Sequence, residues 1–413
     1  MSMRTVIRPH LLLDVVTGEL LAGRALVIDG GRIAAVVAAG DAPAEGPAFV
    51  DLPGQTVLPG LIDCHTHLVG EPDSGQGYVE LLARTGAQEA LSGARNAQDT
   101  LLAGFTTVRD VGTFRAFVDV ALRDAISEGW VAGPRMRVAG AYVTCSGGGG
   151  DITGMAPDVD AVVPYELRVG VADSVDEIRR AVRRVLHGGA DFVKLIATGA
   201  VMTPGGVPGA PEFTEEQIRA AVDEASLSGA DVAAHAHGAE GIKRAVRAGV
   251  RSIEHGSLMD DESIQMMAAA GTFLVADVYN GDYIAQTGRE QGWRADVLAK
   301  NDQTTVAQRE GFTKSLAAGV RIAFGTDSGI YPHGLNARQF AYQVRCGQSP
   351  LAAIQSASIH AAELIRWDDQ VGRIAAGYLA DIIAVNGDPL QDIRLLENPV
   401  FVMKDGAIHH RSP

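Results

Sequence analysis

The stretch LPGLIDCHTHLVGEP, residues 58–72, is an apolar run that closes on two histidines one residue apart. Side chains two apart on a β-strand share a face. His65 and His67 would therefore project together from a strand's exit, and two neutral imidazoles aimed at one point suit a metal ion. A chance pair at a surface strand end is the plain alternative. Cys64, between Asp63 and His65, falls on the opposite face, where a thiol packs as a small apolar group. A doubly wound open sheet would carry a glycine-rich phosphate turn after its first strand. This strand ends in HTHLVGEP instead.

Further along, short apolar runs alternate with helix-like segments. The runs are LIDCHTHL (61–68), FTTVRDVG (105–112), MRVAGAYV (136–143), DFVKLIATG (191–199), DVAAHAHG (231–238), RSIEHGS (251–257), TFLVADVY (272–279) and RIAFGTDSG (321–329). The helix signals between them are explicit. SVDEIRRAVRRVLHGG opens on a Ser174 cap with Glu177 three residues on, and stops at Gly188. TEEQIRAAVDEASLSG repeats the scheme from Thr214; AEGIKRAVRAG and DDESIQMMAAAG do so more briefly. Eight strands, each followed by a helical pattern, predict an α/β chain with a (β/α)8 barrel of the TIM type.

Both ends read differently. TVIRPHLLLDVV, RALVIDGGRIAAVV and AFVDLPGQTVL lie before residue 59, with a DGGR hairpin signal after Ile28. ADIIAVNGDP (380–389) and VFVMKDGAIHH (400–410) match them in style. The termini are expected to join into one small β-sandwich domain, residues 1–60 with 366–413, around a barrel of residues 61–365.

The totals fit one large and one small domain: 413 residues, 46% hydrophobic, with a net charge of −15. Such acidity disfavours nucleic acid and anionic membrane as partners. No run of about eighteen apolar residues predicts a membrane span. Cys64, Cys145 and Cys346 are too few and too odd in number for a disulfide framework. With no signal peptide after LLLDVV, the expected location is cytoplasmic. The expected partner is a small-molecule substrate; the sequence leaves self-association as a homo-oligomer open.

In a barrel of this type the chemistry sits at the C-terminal ends of the strands. Those ends carry His65 and His67, Lys194, His235 and His237, His255, and Asp327. A histidine can cap a turn and an aspartate can make an Asx turn, but this concentration at one end predicts a metal site. Lys194 stays open on the residues alone. An ammonium would be repelled by metal cations, a carbamate formed with CO2 would be an anionic oxygen donor between two ions, and a plain lysine would reach solvent or an acid.

From LPGLIDCHTHL through GTDSG (325–329) to AGYLADIIAVNGDP (376–389), essentially the whole chain resembles the amidohydrolase superfamily. KLIATGAVMTPGG (194–206), AHAHG (234–238), IEHGSL (253–258) and GTDSGIYPHG (325–334) resemble one branch most. It contains Xaa-Pro dipeptidases, N-acyl-amino-acid carboxypeptidases and ochratoxin-hydrolysing amidohydrolases. The resemblance implies a binuclear metal hydrolase of amide or peptide bonds, with zinc as the expected ion. By position, His65 and His67 would bind the more buried metal, carboxylated Lys194 would bridge, and His235 and His255 would bind the second. Asp327 would touch the first metal and shuttle protons to and from a metal-bridging hydroxide. His237 is expected to contact the substrate carbonyl or oxyanion, and Tyr279 to contact the substrate.

Two positions depart from the branch. Gly149, in SGGGGD (146–151), stands where a substrate-facing histidine is usual, and Ala200 stands where glycine is usual. The first removes a donor and predicts a wider pocket. The Gly- and Pro-rich loop 202–213 reads either as a lid or as a plain surface loop. Rival readings are a hydrolase of cyclic amides, carbamates or xenobiotic esters on the same site, and a non-catalytic binding protein that kept the fold. A single-metal deaminase is disfavoured by the lysine on strand four. The absence of G-x-S-x-G disfavours acyl-enzyme chemistry.

Overall fold

The computed structural model describes residues 4–43, 48–69 and 78–412; residues 70–72 of the opening stretch lie outside these. Eight parallel strands form the expected barrel: Leu61–Thr66, Phe105–Asp110, Arg135–Val138, Val193–Ile196, Val232–Gly238, Ser252–Leu258, Phe273–Val275 and Arg321–Ile322. The third run is interrupted, and its second piece, Tyr142–Val143, pairs with the fourth strand. The barrel closes between the eighth run and the first. Cys64 N donates to Phe324 O at 2.8 Å, His67 N donates to Ser328 O at 2.8 Å, and Asp327 N donates to His65 O at 2.8 Å. Closure therefore sets Asp327 directly beside both histidines.

The helix boundaries follow the caps. Val175–His187 begins at Ser174 with a full capping box to Glu177 and ends at Gly188. Glu215–Ser226 begins at Thr214 with a capping box to Gln217. The box satisfies two otherwise orphaned N–H groups at each start. Ala239–Ala248 and Asp261–Ala270 end on Gly249 and Gly271, both left-handed, as an αL stop requires.

The two termini share one sheet. Strand Ala48–Pro59 runs parallel to Arg4–Leu13 and antiparallel to Ile382–Asn386, which leads on to Phe401–Lys404 and Ala407–Arg411. The DGGR signal is the hairpin between Arg24–Asp29 and Arg32–Ala38. The termini thus form one continuous sheet, where a sandwich was expected. One of its faces gathers Ile7, Leu26, Ile33, Val50, Ile382 and Phe401 into a single apolar cluster. A second cluster, with Leu13, Leu58, Phe105, Phe324, Ile383 and Val402, joins the sheet to the barrel. Burying each such side chain contributes about 1.5–3 kcal/mol. Cys64 packs in a third cluster with Ile62, Phe273 and Val275, as its face of the strand dictates.

Among the described residues, no helix is long and apolar enough to cross a membrane.

Candidate metal-dependent active site

His65 is buried, and its orientation is set from below. Its Nδ1 lies 2.8 Å from Glu254 Oε2. Glu254 Oε1 accepts from Arg109 at 2.7 Å and from Ser252 Oγ at 2.5 Å, and Arg109 also donates to Ser252 Oγ and to the Cys64 carbonyl. Burial alone would raise the Glu254 carboxyl, but the charge of Arg109 and the bond to His65 outweigh it and hold Glu254 far below the usual carboxylate range. A charged Glu254 fixes the N–H of His65 on Nδ1, leaving the Nε2 lone pair for the centre of the barrel.

His67 is oriented by the backbone. Its Nδ1 lies 2.7 Å from Gly112 O, and the Tyr142 hydroxyl completes the contact, 3.2 Å from the same nitrogen and 3.0 Å from the same carbonyl. His65 Nε2 and His67 Nε2 each lie 3.4 Å from Asp327 Oδ1. Burial opposes charge on Asp327, yet the two rings beside it hold it well below its ordinary value.

Across the cavity His235 and His237 leave the fifth strand on one face, their ring centroids 4.6 Å apart. His235 Nε2 is buried with no hydrogen-bond partner. His237 Nδ1 lies 2.8 Å from Ser257 Oγ. Burial first, and then the neighbouring His255, push His237 down to about 3. Its ring is therefore neutral at ordinary pH.

His255 reaches the site by a backbone device. Regular alternation would turn it outward, since Ser252 and Glu254 face the barrel interior. The sixth strand instead carries an extra residue opposite Ala236 and Gly238, and His255 and Gly256 take φ of 69° and 61°. A bulge with left-handed backbone re-aims the side chain. For histidine and for Asp327 (φ 57°) such a backbone is strained, a condition that persists where surrounding structure imposes it. His255 Nδ1 meets Asp277 Oδ1 at 3.0 Å, and Gln308 donates to the same oxygen at 2.7 Å. Asn280 Nδ2 donates to Asp277 Oδ2 at 3.1 Å and to Asp327 Oδ2 at 3.0 Å. Burial lowers His255, but the charge of Asp277 more than offsets this, so it sits above its ordinary value.

Lys194 is fully enclosed by the barrel, 2% exposed. Burial pulls its amine down to about 8.

Two groups have the density of donors that a metal ion needs. In His65, His67 and Asp327, and again in His255, Asp277 and Asp327, the candidate ligand atoms lie within 4.8 Å of one another. The partnerless Nε2 of His235 is a third sign, because buried polar atoms are otherwise paired. The residues present fit divalent ions bound by nitrogen and oxygen.

These groups floor a cavity of about 260 Å3. Its walls are largely apolar, with Leu81, Phe114, Val201, Met202, Ile284 and Ile330. Gly149 lines it with backbone alone, and its N–H donates to Glu212. A Cβ at Gly149 would stand 3.0 Å from Ile196 and 3.3 Å from Ala200. The loop 202–213 forms part of the roof and is fastened at several points. Thr203 Oγ1 donates to Gly149 O at 3.0 Å, Lys300 Nζ donates to Thr203 O at 2.7 Å, and isolated bridges tie Thr198 to Pro211 and Gly199 to Pro208.

The structure gathers His65, His67, Lys194, His235, His237, His255, Asp327 and Gly149 around this cavity. It places Tyr279 elsewhere. That ring packs on Tyr331 and Tyr342, its hydroxyl accepts from Arg338, and it is not part of the cavity lining. The next residue, Asn280, takes the place at the wall. Sequence reasoning also missed Asp277, Glu254, Arg109, Tyr142 and Ser257. Asp277 had the same signal as Asp327, an acid at a strand's exit. Glu254 and Arg109 were charges inside fully buried strands.

The model of the amidohydrolase family matches residues 56–410. Ochratoxinase from Aspergillus niger is 32% identical over 401 residues, covering 93% of this chain and 82% of that protein. Among solved structures, a Xaa-Pro dipeptidase with methionine bound in its active site superposes with a TM-score of 0.92 at 38% identity, covering 98% of this chain and 99% of the other. The A. niger ochratoxinase structure gives 0.87 at 31% identity, with 99% and 96% covered.

Proposed function

This chain belongs to the amidohydrolase family and hydrolyses amide bonds, and from that premise we propose that it cleaves a dipeptide or N-acyl amino acid at a two-metal site. The observation that carries the reading is the convergence of His65 and His67 on Asp327, with both outer nitrogens anchored, beside a buried lysine and a partnerless histidine nitrogen.

His65, His67 and Asp327 would hold one ion, and His235 and His255 the second, with carboxylated Lys194 between them. Zinc is the ion that the nitrogen-rich set favours. When bound, such ions lower the proton affinity of water and polarise a carbonyl. A lysine lowered to about 8 by burial has more of its amine free at neutral pH, and the free amine is the form that adds CO2 with loss of a proton. Asp277 holds His255 Nδ1 at 3.0 Å and so orients that ring.

Hydrolysis adds the oxygen of water to the carbonyl carbon and a proton to the leaving nitrogen as the C–N bond breaks. Asp327 Oδ1 faces His65 and His67, so Oδ2, held by Asn280, takes the proton and returns it. The neutral ring of His237 contacts the carbonyl oxygen as charge develops there. The apolar walls would exclude water and receive an apolar side chain.

A hydrolysis screen of dipeptides and N-acyl amino acids, varied at the C-terminal residue, tests the reading. Turnover of members with a free carboxylate and a bulky side chain is the expected result. Exclusive turnover of carboxyl esters or cyclic amides would replace it.

A further inference from the structure

Above the metal set, the cavity has two apolar walls that rise from different strands. After the first and second strands come Tyr78, Leu81 and Phe114. The Phe114 ring stands edge-on to Tyr78 and to Tyr142, with centroids 5.0 Å and 5.1 Å apart. After the seventh and eighth strands come Ile284 and Ile330, and Met202 joins them from the roof loop. These three share one apolar cluster with Trp293 and Val297. Tyr78, Leu81, Phe114, Met202 and Ile330 are only half-buried, so both walls offer side-chain surface to a molecule in the cavity. The second wall is tied to Asp327. Ile330 N donates to Asp327 O at 3.2 Å. Ile284 lies one helical turn beyond Asn280, which donates to Asp327 Oδ2 at 3.0 Å.

An amide is planar, and the oxygen that attacks it must approach across that plane. The metal set floors the cavity, so the attack comes from below and the amide lies flat across the barrel axis. Its carbonyl carbon carries three groups about 120° apart in the plane. The oxygen faces His237 on the fifth strand. The nitrogen faces Asp327 Oδ2, which Asn280 holds on the side of the seventh strand, while Oδ1 turns to His65 and His67 on the first. Neighbouring strands of an eight-stranded barrel stand about 45° apart around the axis. With oxygen toward the fifth strand and nitrogen between the seventh and eighth, the direction left for the acyl group is that of the second. We propose that the acyl group lies on the wall of Tyr78, Leu81 and Phe114, and that the side chain of the leaving amino acid lies on the wall of Ile284, Ile330 and Met202. Phe114 and Ile330 then set specificity on opposite sides of the scissile bond. The inference rests on the amide-hydrolase reading and deepens it. The leaving residue is an aliphatic amino acid, because the wall that it meets is built of two isoleucines and a methionine.

The test crosses two substrate series with two variants of the metal-loaded enzyme. One series keeps an acetyl group and changes the leaving residue from alanine to leucine. The other keeps alanine as the leaving residue and changes the acyl group from acetyl to hexanoyl. The wild type is expected to favour the larger member of each series in kcat/KM by at least about tenfold. Ile330→Ala should lower the leucine-to-alanine ratio by about three- to tenfold and leave the hexanoyl-to-acetyl ratio within about twofold. Phe114→Ala should do the reverse. Each ratio is taken within one protein, so a loss of folded or loaded enzyme cancels; Met202→Ala and Leu81→Ala replace either variant that fails to fold. Competitive inhibition by free leucine gives a readout apart from turnover. It should weaken by about threefold or more in Ile330→Ala and stay unchanged in Phe114→Ala. Variants that shift the opposite ratio, both ratios equally or neither overturn the assignment of the walls alone. If the wild type cleaves no member of either series, the amide-hydrolase reading fails and takes this inference with it.

Discussion

The first and fifth barrel strands carry the same pattern, histidine–any–histidine at the strand's exit, and the structure treats the two pairs differently. His65 and His67 are each anchored at Nδ1 by an oxygen that only accepts, the Glu254 carboxylate and the Gly112 carbonyl. Both tautomers are thereby fixed, and both Nε2 lone pairs point at one place. In the second pair His237 is anchored by Ser257 Oγ, a hydroxyl that can donate or accept, and His235 Nε2 has no partner. The first pair is built to present lone pairs. The second divides into one ring suited to a metal and one whose free edge can offer an N–H to a substrate oxygen. Spacing brings the histidines together, and the partner of the outer nitrogen decides what each can do.

That contrast can be broken first at the rings. His67→Ala should lose bound metal and lower kcat/KM by at least about a thousandfold. His237→Ala should retain its metal and lose about a hundred- to a thousandfold in kcat, the usual scale for one oxyanion donor. Metal analysis beside steady-state kinetics separates the two. Metal loss from His237→Ala would place that ring in the ligand set.

The anchor comes next. Glu254→Gln leaves Arg109 buried without its counter-ion and weakens the hold on His65. Metal affinity should fall about ten- to a hundredfold, and chemical denaturation should show a loss of about 3 kcal/mol or more. Ser257→Ala, the matching change under His237, should leave metal affinity unaltered.

The smallest effect lies away from both pairs and gauges the background. Burial raises Glu212 from 4.5 to about 7, with the Gly149 N–H opposing it. The folded value lies above the unfolded one, so the fold favours the protonated acid. That contribution is complete below about pH 4.5 and is lost as pH rises through about 7. Between pH 5 and pH 8 the wild type should lose about 2 kcal/mol relative to Glu212→Gln, allowing for partial exposure. Denaturation midpoints at the two pH values measure it, and parallel curves would show that Glu212 ionises freely in the fold.

Much of this was legible in the sequence because strand periodicity and helix caps are local. The Ser174 and Thr214 boxes fixed helix starts to the residue, and HTH and AHAH announced the face of the barrel. His255 was found at its strand's exit, although the bulge that aims it depends on pairing with the fifth strand, which no local pattern records. The Arg109–Ser252–Glu254 network escaped for a similar reason. Its members are separated by up to 145 residues, and a charge inside an apolar run becomes meaningful only when its partner is known. The place of Tyr279 at a strand's end predicts a substrate contact. The chain turns there into helix Asn280–Gln291, which sends the tyrosine into an aromatic cluster and Asn280 to the cavity.

The claim at the centre of this account is a two-metal site organised around Lys194. Metal content measured on protein purified with divalent ions and bicarbonate, for the wild type and for Lys194→Ala, tests it most directly. Two divalent ions per wild-type chain are expected, with at most one in the variant and most of its turnover gone. A wild type that binds one ion or none, or a variant that keeps two ions and full turnover, would contradict it.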